Sequence, residues 1–205
     1  MADGVQWLET EDQFDLGYWA VFARDLDPVE LVRRLGPVTP VGGPVTRFEV
    51  DAVEAQFDGI AVRAGGSAGW AYGVVENGPV RRGPDAAVCS LSIGTVAVEW
   101  WCTVNRDMRF AFAEDGQVVC EFEPGAEHER SGADPDRLLP ALQRAGLVLP
   151  DGRTPFEHGI DIDRPLLRVL ALAESEFGVD LPRGAVLHSA LTAGVLSEWN
   201  QTSSS

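Results

Sequence analysis

The chain has 205 residues, 45% hydrophobic and 23% charged, with a net charge of −16. That is ordinary globular usage, and a chain of this length builds its core without metal or disulfide. Each half carries −8, so the acidity belongs to the whole surface, which repels nucleic-acid phosphates and anionic membranes and favours basic partners.

Residues 3–16 hold five acids and no base, with Trp7 and Leu8 expected to turn inward as an anchor. The apolar, aromatic run 18–24 reads as a first strand. A helix follows, with Asp27 as N-cap, Pro28 at N1 and Glu30 completing a capping-box pattern. Leu31, Val32 and Leu35 form its apolar stripe, and Gly36 and Pro37 end it. The Gly- and Pro-dense stretch 36–47 reads as a loop. Two strands are expected over 58–64 and 69–76, joined by a Gly-rich link, with Asn77-Gly78 a turn after the second. A short helix is expected over 84–91.

Residues 95–123 show three alternating runs. One face carries Val96, Val98, Trp100 and Cys102, then Met108, Phe110 and Phe112, then Val118, Cys120 and Phe122. Alternation at period 2 marks strands with one buried face. Turns at Asn105-Arg106-Asp107 and at Asp115-Gly116, a favoured type I′ pair, make the segment an antiparallel meander.

A Pro-, Gly- and Glu-rich link covers 124–134. Helical patterns then follow: one from Asp134-Pro135 to Gly146, with Pro140 marking a kink or a late start, and one from Asp163 and Pro165 to Gly178. A last helix is expected over 185–196, and a disordered tail over 199–205. The expected fold class is α+β: a mostly antiparallel sheet around a central three-stranded meander, partly covered by helices, with the C-terminal third helical. Residues 1–198 read as a single domain, sheet-rich over 1–123 and helical over 134–198.

Cys89, Cys102 and Cys120 lack the spacing of a zinc module or a disulfide framework. Cys102 and Cys120 lie on the outer strands of the meander, about 10 Å apart, too far for a disulfide. The N-terminus shows no signal-peptide pattern, and no apolar run reaches the roughly 20 residues of a membrane span. The expected location is cytoplasmic. No cofactor and no metal is expected. Glu127-His128-Glu129 reads as a solvated acidic loop, Asp163 as a helix N-cap beside His158 and Asp161, and His188 as a partly buried helical histidine. Gly65-Gly66-Ser67-Ala68-Gly69 precedes a strand rather than a helix, so it is a hairpin link and not a phosphate loop.

The second face of the meander is the candidate site. It carries Ala97, Glu99 and Trp101, then Arg109, Ala111 and Ala113, then Val119, Glu121 and Glu123. Alanines admit a close-packed helix. Trp101 framed by Arg109, Glu99 and Glu121 is also a recognition face, since Trp and Arg are enriched at binding hot spots, or a cross-strand charge ladder.

The segments 70–76 and 90–94, with Glu99-Trp100-Trp101, 109–116 and 121–124, resemble an actinobacterial family of domains of unknown function. The strand-to-helix opening over 18–36 and the segment 134–138 fit the same pattern, so the resemblance covers about residues 5–195. It implies an actinobacterial source, in keeping with a sequence whose sixteen basic residues are all Arg. It implies no activity and no catalytic residue. The chain is also similar, in a general way, to immunity and adaptor proteins. The reading that follows is a non-enzymatic protein-binding domain, an inhibitor or regulatory adaptor acting on a basic protein partner. The alternatives are a hydrolase using His158 with Asp161 or Asp163, or Cys89, and a small-molecule sensor with Trp70, Tyr72 and Trp101 lining one pocket.

Overall fold

The structure is a computed structural model and describes residues 3–76, 87–159 and 164–196. Its frame is one antiparallel sheet of eight strands in the order β2-β8-β3-β4-β1-β5-β6-β7. The strands are β1 (Gly17–Arg24), β2 (Val38–Pro40), β3 (Ile60–Ser67), β4 (Trp70–Glu76), β5 (Val96–Thr103), β6 (Met108–Glu114), β7 (Gln117–Phe122) and β8 (Thr192–Leu196). The helices are α1 (Pro28–Arg34), α2 (Val50–Phe57), α3 (Ala87–Leu91), α4 (Leu139–Arg144), α5 (Pro165–Phe177) and α6 (Arg183–His188).

Helix α1 starts as its residues dictate: Asp27 Oδ1 accepts from the Glu30 N–H at 2.8 Å. The Glu30 carboxylate does not close the expected box. It turns forward to Arg33 and Arg34, at 2.6 and 2.7 Å, because two guanidinium groups one turn ahead outweigh a single backbone N–H. Pro140 is the second residue of α4, so the late start is the outcome.

Alternation along the strands divides the core. The first face carries Tyr18, Phe22, Tyr72, Trp100, Phe110 and Phe122 under α5, α6 and the N-terminal segment. Trp7 anchors that segment, its Nε1 donating to the Leu181 carbonyl at 2.9 Å. The second face carries Trp19, Val21, Ala71, Ala97, Ala111 and Ala113 under α1 and α3. A third, smaller cluster lies between α2, β3 and β8.

Residues 65–67, expected in the hairpin link, belong to β3 and pair with β4, which leaves Ala68-Gly69 as the turn. Three further sequence expectations change. Residues 185–196 are not one helix: α6 ends at His188, and β8 enters the sheet between β2 and β3. The C-terminal third is thus helical only in part. Gly194 fits this position because a Cβ there would lie 2.3 Å from Val38 Cγ1 and 2.6 Å from Val32 Cγ1. The 36–47 loop contains β2, a short edge strand carrying Pro40, which pairs with β8 through 38–40. Finally, the register of β6 and β7 shifts between Phe112 and Ala113. This bulge turns Val119 into the first-face core and Val118 toward the second, the reverse of strict alternation.

Candidate functional site

The hairpin β5–β6 pairs Trp101 with Arg109 and Glu99 with Ala111, and β6–β7 pairs Ala111 with Glu121. Side chains of one face on neighbouring strands stand close enough to meet, and Glu99, Arg109 and Glu121 do. Arg109 Nη1 donates to Glu99 Oε1 at 2.9 Å, and Arg109 Nε donates to Glu121 Oε2 at 3.0 Å, with Nη2 on the same oxygen. Glu99 is wholly buried. Its other oxygen accepts from the Trp19 indole N–H at 3.3 Å. A buried carboxylate needs such company, since an isolated charge away from water costs several kcal/mol. The expected charge ladder is therefore present.

The alanines do what small residues allow. Ala87, Val88 and Leu91 of α3 pack with Ala97, Ala111 and Ala113. The second face is thus divided: its alanine end is covered by α3, while Trp101 and Arg109 remain half-buried at the other end.

There a groove of 310 Å³ opens, lined by Trp101, Met108, Arg109, Glu121, Phe122, Glu123, Ala126, Glu129 and Ser131. Its outer wall is the segment 124–131, which folds back along β7. Glu121 and Ser131 exchange backbone hydrogen bonds of 2.9 Å each way, and Ser131 Oγ donates to Glu121 Oε1 at 3.0 Å. Of the predicted residues, Trp101, Arg109 and Glu121 line this groove and Glu99 lies beneath it. Sequence reading assigned Met108 and Phe122 to the opposite, core face, where both pack, and missed the residues of 124–131. Their signal was weak, because a fold-back along an edge strand has no periodicity.

Electrostatically the groove is acidic. The charge of Arg109 is matched by Glu99 and Glu121, which leaves Glu123 and Glu129 facing solvent. Glu123 has no ion-pair partner among the described residues. Glu129 lies 3.7 Å from His128 Nε2. The Trp101 indole N–H is buried without a hydrogen-bond partner in the described structure.

The other candidates lie elsewhere. His158 Nε2 is 3.0 Å from Asp151 Oδ2, an exposed pair, and the backbone N–H of Arg153, with His158 second to it, holds the Asp151 carboxyl below its usual range. Asp161 and Asp163 fall outside the described residues, as does Asn77-Gly78. Cys89 is half-buried on α3. Cys102 and Cys120 are buried, and burial pushes the Cys120 thiol up to about 11. Glu127 is not solvated as expected but fully buried. His188 is exposed at the end of α6 rather than partly buried. Trp70 and Tyr72 sit in the first-face core and Trp101 on the second face, so the sheet separates them and they line no common pocket. Among the described residues no group of three or more His, Cys, Asp or Glu is placed to hold a metal, and no helix is long and apolar enough to cross a membrane.

These features define an α+β domain in which one antiparallel sheet is covered on both faces and the end of its meander presents a groove. Residues 2–200 match the model of DUF6461, described as a family of unknown function, and the chain belongs to that family. Comparison with curated proteins and with solved structures finds no match.

Proposed function

We propose that this protein is a non-enzymatic binding domain that takes an arginine-bearing segment of a basic protein partner in the groove of Trp101. The observation that carries this reading is the groove's composition. Trp101 and Met108 provide apolar and aromatic surface, and Glu123 and Glu129 lie outside the Arg109 ion pairs. A guanidinium suits both, stacking on an indole and pairing with a carboxylate. The Glu99–Arg109–Glu121 network, anchored on the buried Glu99, holds the floor in place, which limits the entropy lost on binding. A surface of −16 adds steering toward a basic partner. Within this reading the protein is a cytoplasmic inhibitor or adaptor that binds neither nucleic acid nor membrane.

The test is calorimetric titration with pentapeptides that differ only in a central Arg, Lys, Gln or Glu. The Arg peptide binds best, and its affinity falls as salt is raised from 50 to about 500 mM, where the Debye length shrinks below about 5 Å. Equal affinity for the Arg and Gln peptides overturns the proposal.

A further inference from the structure

The wall of the groove contains a carboxyl group in an unusual setting. Glu127 lies in the single 3-10 turn Glu127–Glu129 of segment 124–131 and is 0% exposed. Its Oε1 accepts from the Gly125 N–H at 2.8 Å. Its Oε2 is buried with no hydrogen-bond partner among the described residues. A carboxylate in that position would leave a charged oxygen dry and unpaired, which is far costlier than a neutral carboxyl in the same place.

The neighbouring charges do not relieve it. On the segment itself stand His128, Glu129 and Arg130. Arg130 spends its guanidinium on the Glu127 carbonyl and on Asp136. Beside it are Glu121 near the end of β7 and Glu123 just beyond it. On the α5 side, Pro165 packs against Gly125, with Arg164 preceding it. Of these charges, only that of His128 lowers the acidity threshold of Glu127, against a larger upward push from burial.

We infer that protonated Glu127 pins segment 124–131 closed against β7, and that loss of its proton to solvent releases this wall of the groove. Ala126, Glu129 and Ser131 belong both to the segment and to the groove lining. Opening the turn hydrates the Glu127 carboxylate and withdraws those three residues together. This inference rests on the groove being the binding site only for its consequence, namely that ligand affinity falls as Glu127 ionises. The pin itself exists with or without a ligand.

Hydrogen exchange of the ligand-free, full-length protein tests the pin directly. The readouts are the amides of Ala126, which donates to the Glu123 carbonyl, of Glu129 and Arg130, which donate within the segment, and of Ser131, which donates to β7. With intrinsic exchange subtracted, the population of the open segment rises by up to about tenfold per pH unit from the ordinary carboxylate range up to the raised threshold of Glu127, and levels off above it. Glu127→Gln keeps the shape and removes the titration, so its profile is flat. Glu127→Met fills the same space without an ionisable group and serves if the amide variant folds poorly. A flat profile in the unmodified protein, or a pH-dependent profile that persists in both variants, overturns the inference. Because no peptide is present, failure here is distinct from failure of the groove to bind.

Discussion

Arg109 and Glu99 face each other across β5 and β6 at 2.9 Å, and Glu99 has no contact with solvent. The pair lies on the sheet face opposite the Trp100 and Phe110 core, beside the alanines that admit α3. It therefore joins the packing of the sheet to the shape of the groove.

Removing one partner of such a pair strands the other. Arg109→Met leaves Glu99 buried without its main counter-charge, and breaking a buried pair in this way costs about 3 kcal/mol. Converting both, as Glu99→Gln with Arg109→Met, removes the uncompensated charge and costs less than Arg109→Met alone. Urea unfolding of the single and double variants reads both values. A double variant less stable than Arg109→Met would contradict the assignment of Glu99 as a buried carboxylate.

The position of β8 gives a test with opposite signs for its two readings. In a helix over 185–196, Gly194→Ala would stabilise by about 1 kcal/mol. In β8 the new methyl meets Val38 and Val32, and overpacking of this kind costs about 1–3 kcal/mol. A thermal melt of Gly194→Ala is expected to show a lower Tm.

The three cysteines are expected to differ in reactivity. Cys102 and Cys120 are buried, and burial pushes both thiols up, that of Cys120 to about 11. The thiolate is the nucleophile, so at pH 8 iodoacetamide labels Cys89 first, and the other two only as the protein unfolds. Peptide mass spectrometry after a timed pulse measures this. Labelling of Cys120 as fast as Cys89 would contradict the core placement.

Much of the fold was legible where one physical signal dominates. The meander's period-2 pattern placed Trp100, Phe110 and Phe122 in one core, and Asp115-Gly116 supplied the two positive φ values, 48° and 83°, of its second turn. Asp27 and Pro28 started α1 as expected. Legibility failed where a tertiary contact decides. Nothing local distinguishes Ala193, Gly194 and Val195 in an inner strand from the same residues in a weak helix, because the strand is selected by β2 and β3. Helix α2 went unread although Thr46 and Glu49 carry the spacing of a capping box; the Glu49 carboxylate accepts from the Thr46 N–H at 2.9 Å. The bulge at Val118 and Val119 broke a period that sequence reading assumes to be unbroken.

The candidate site was partly legible for the same reason. Glu99, Trp101, Arg109 and Glu121 share a face by alternation alone, so their meeting followed from strand pairing. The groove's other wall depends on 124–131 returning to β7, and Glu127's burial depends on that return. A run of Glu, His and Glu reads as solvated until the chain covering it is known.

The central claim is that an arginine side chain enters beside Trp101 and meets Glu123 and Glu129. The most direct measurement is the affinity of an Arg-centred pentapeptide for the unmodified protein, for Trp101→Leu, and for the pair Glu123→Gln and Glu129→Gln, with each variant's folding checked by circular dichroism. An exposed ion pair contributes about 0.2–1 kcal/mol and an exposed cation–π contact about 0.5–1 kcal/mol, so either change is expected to weaken binding by about two- to fivefold. Undiminished affinity in both folded variants would contradict the account.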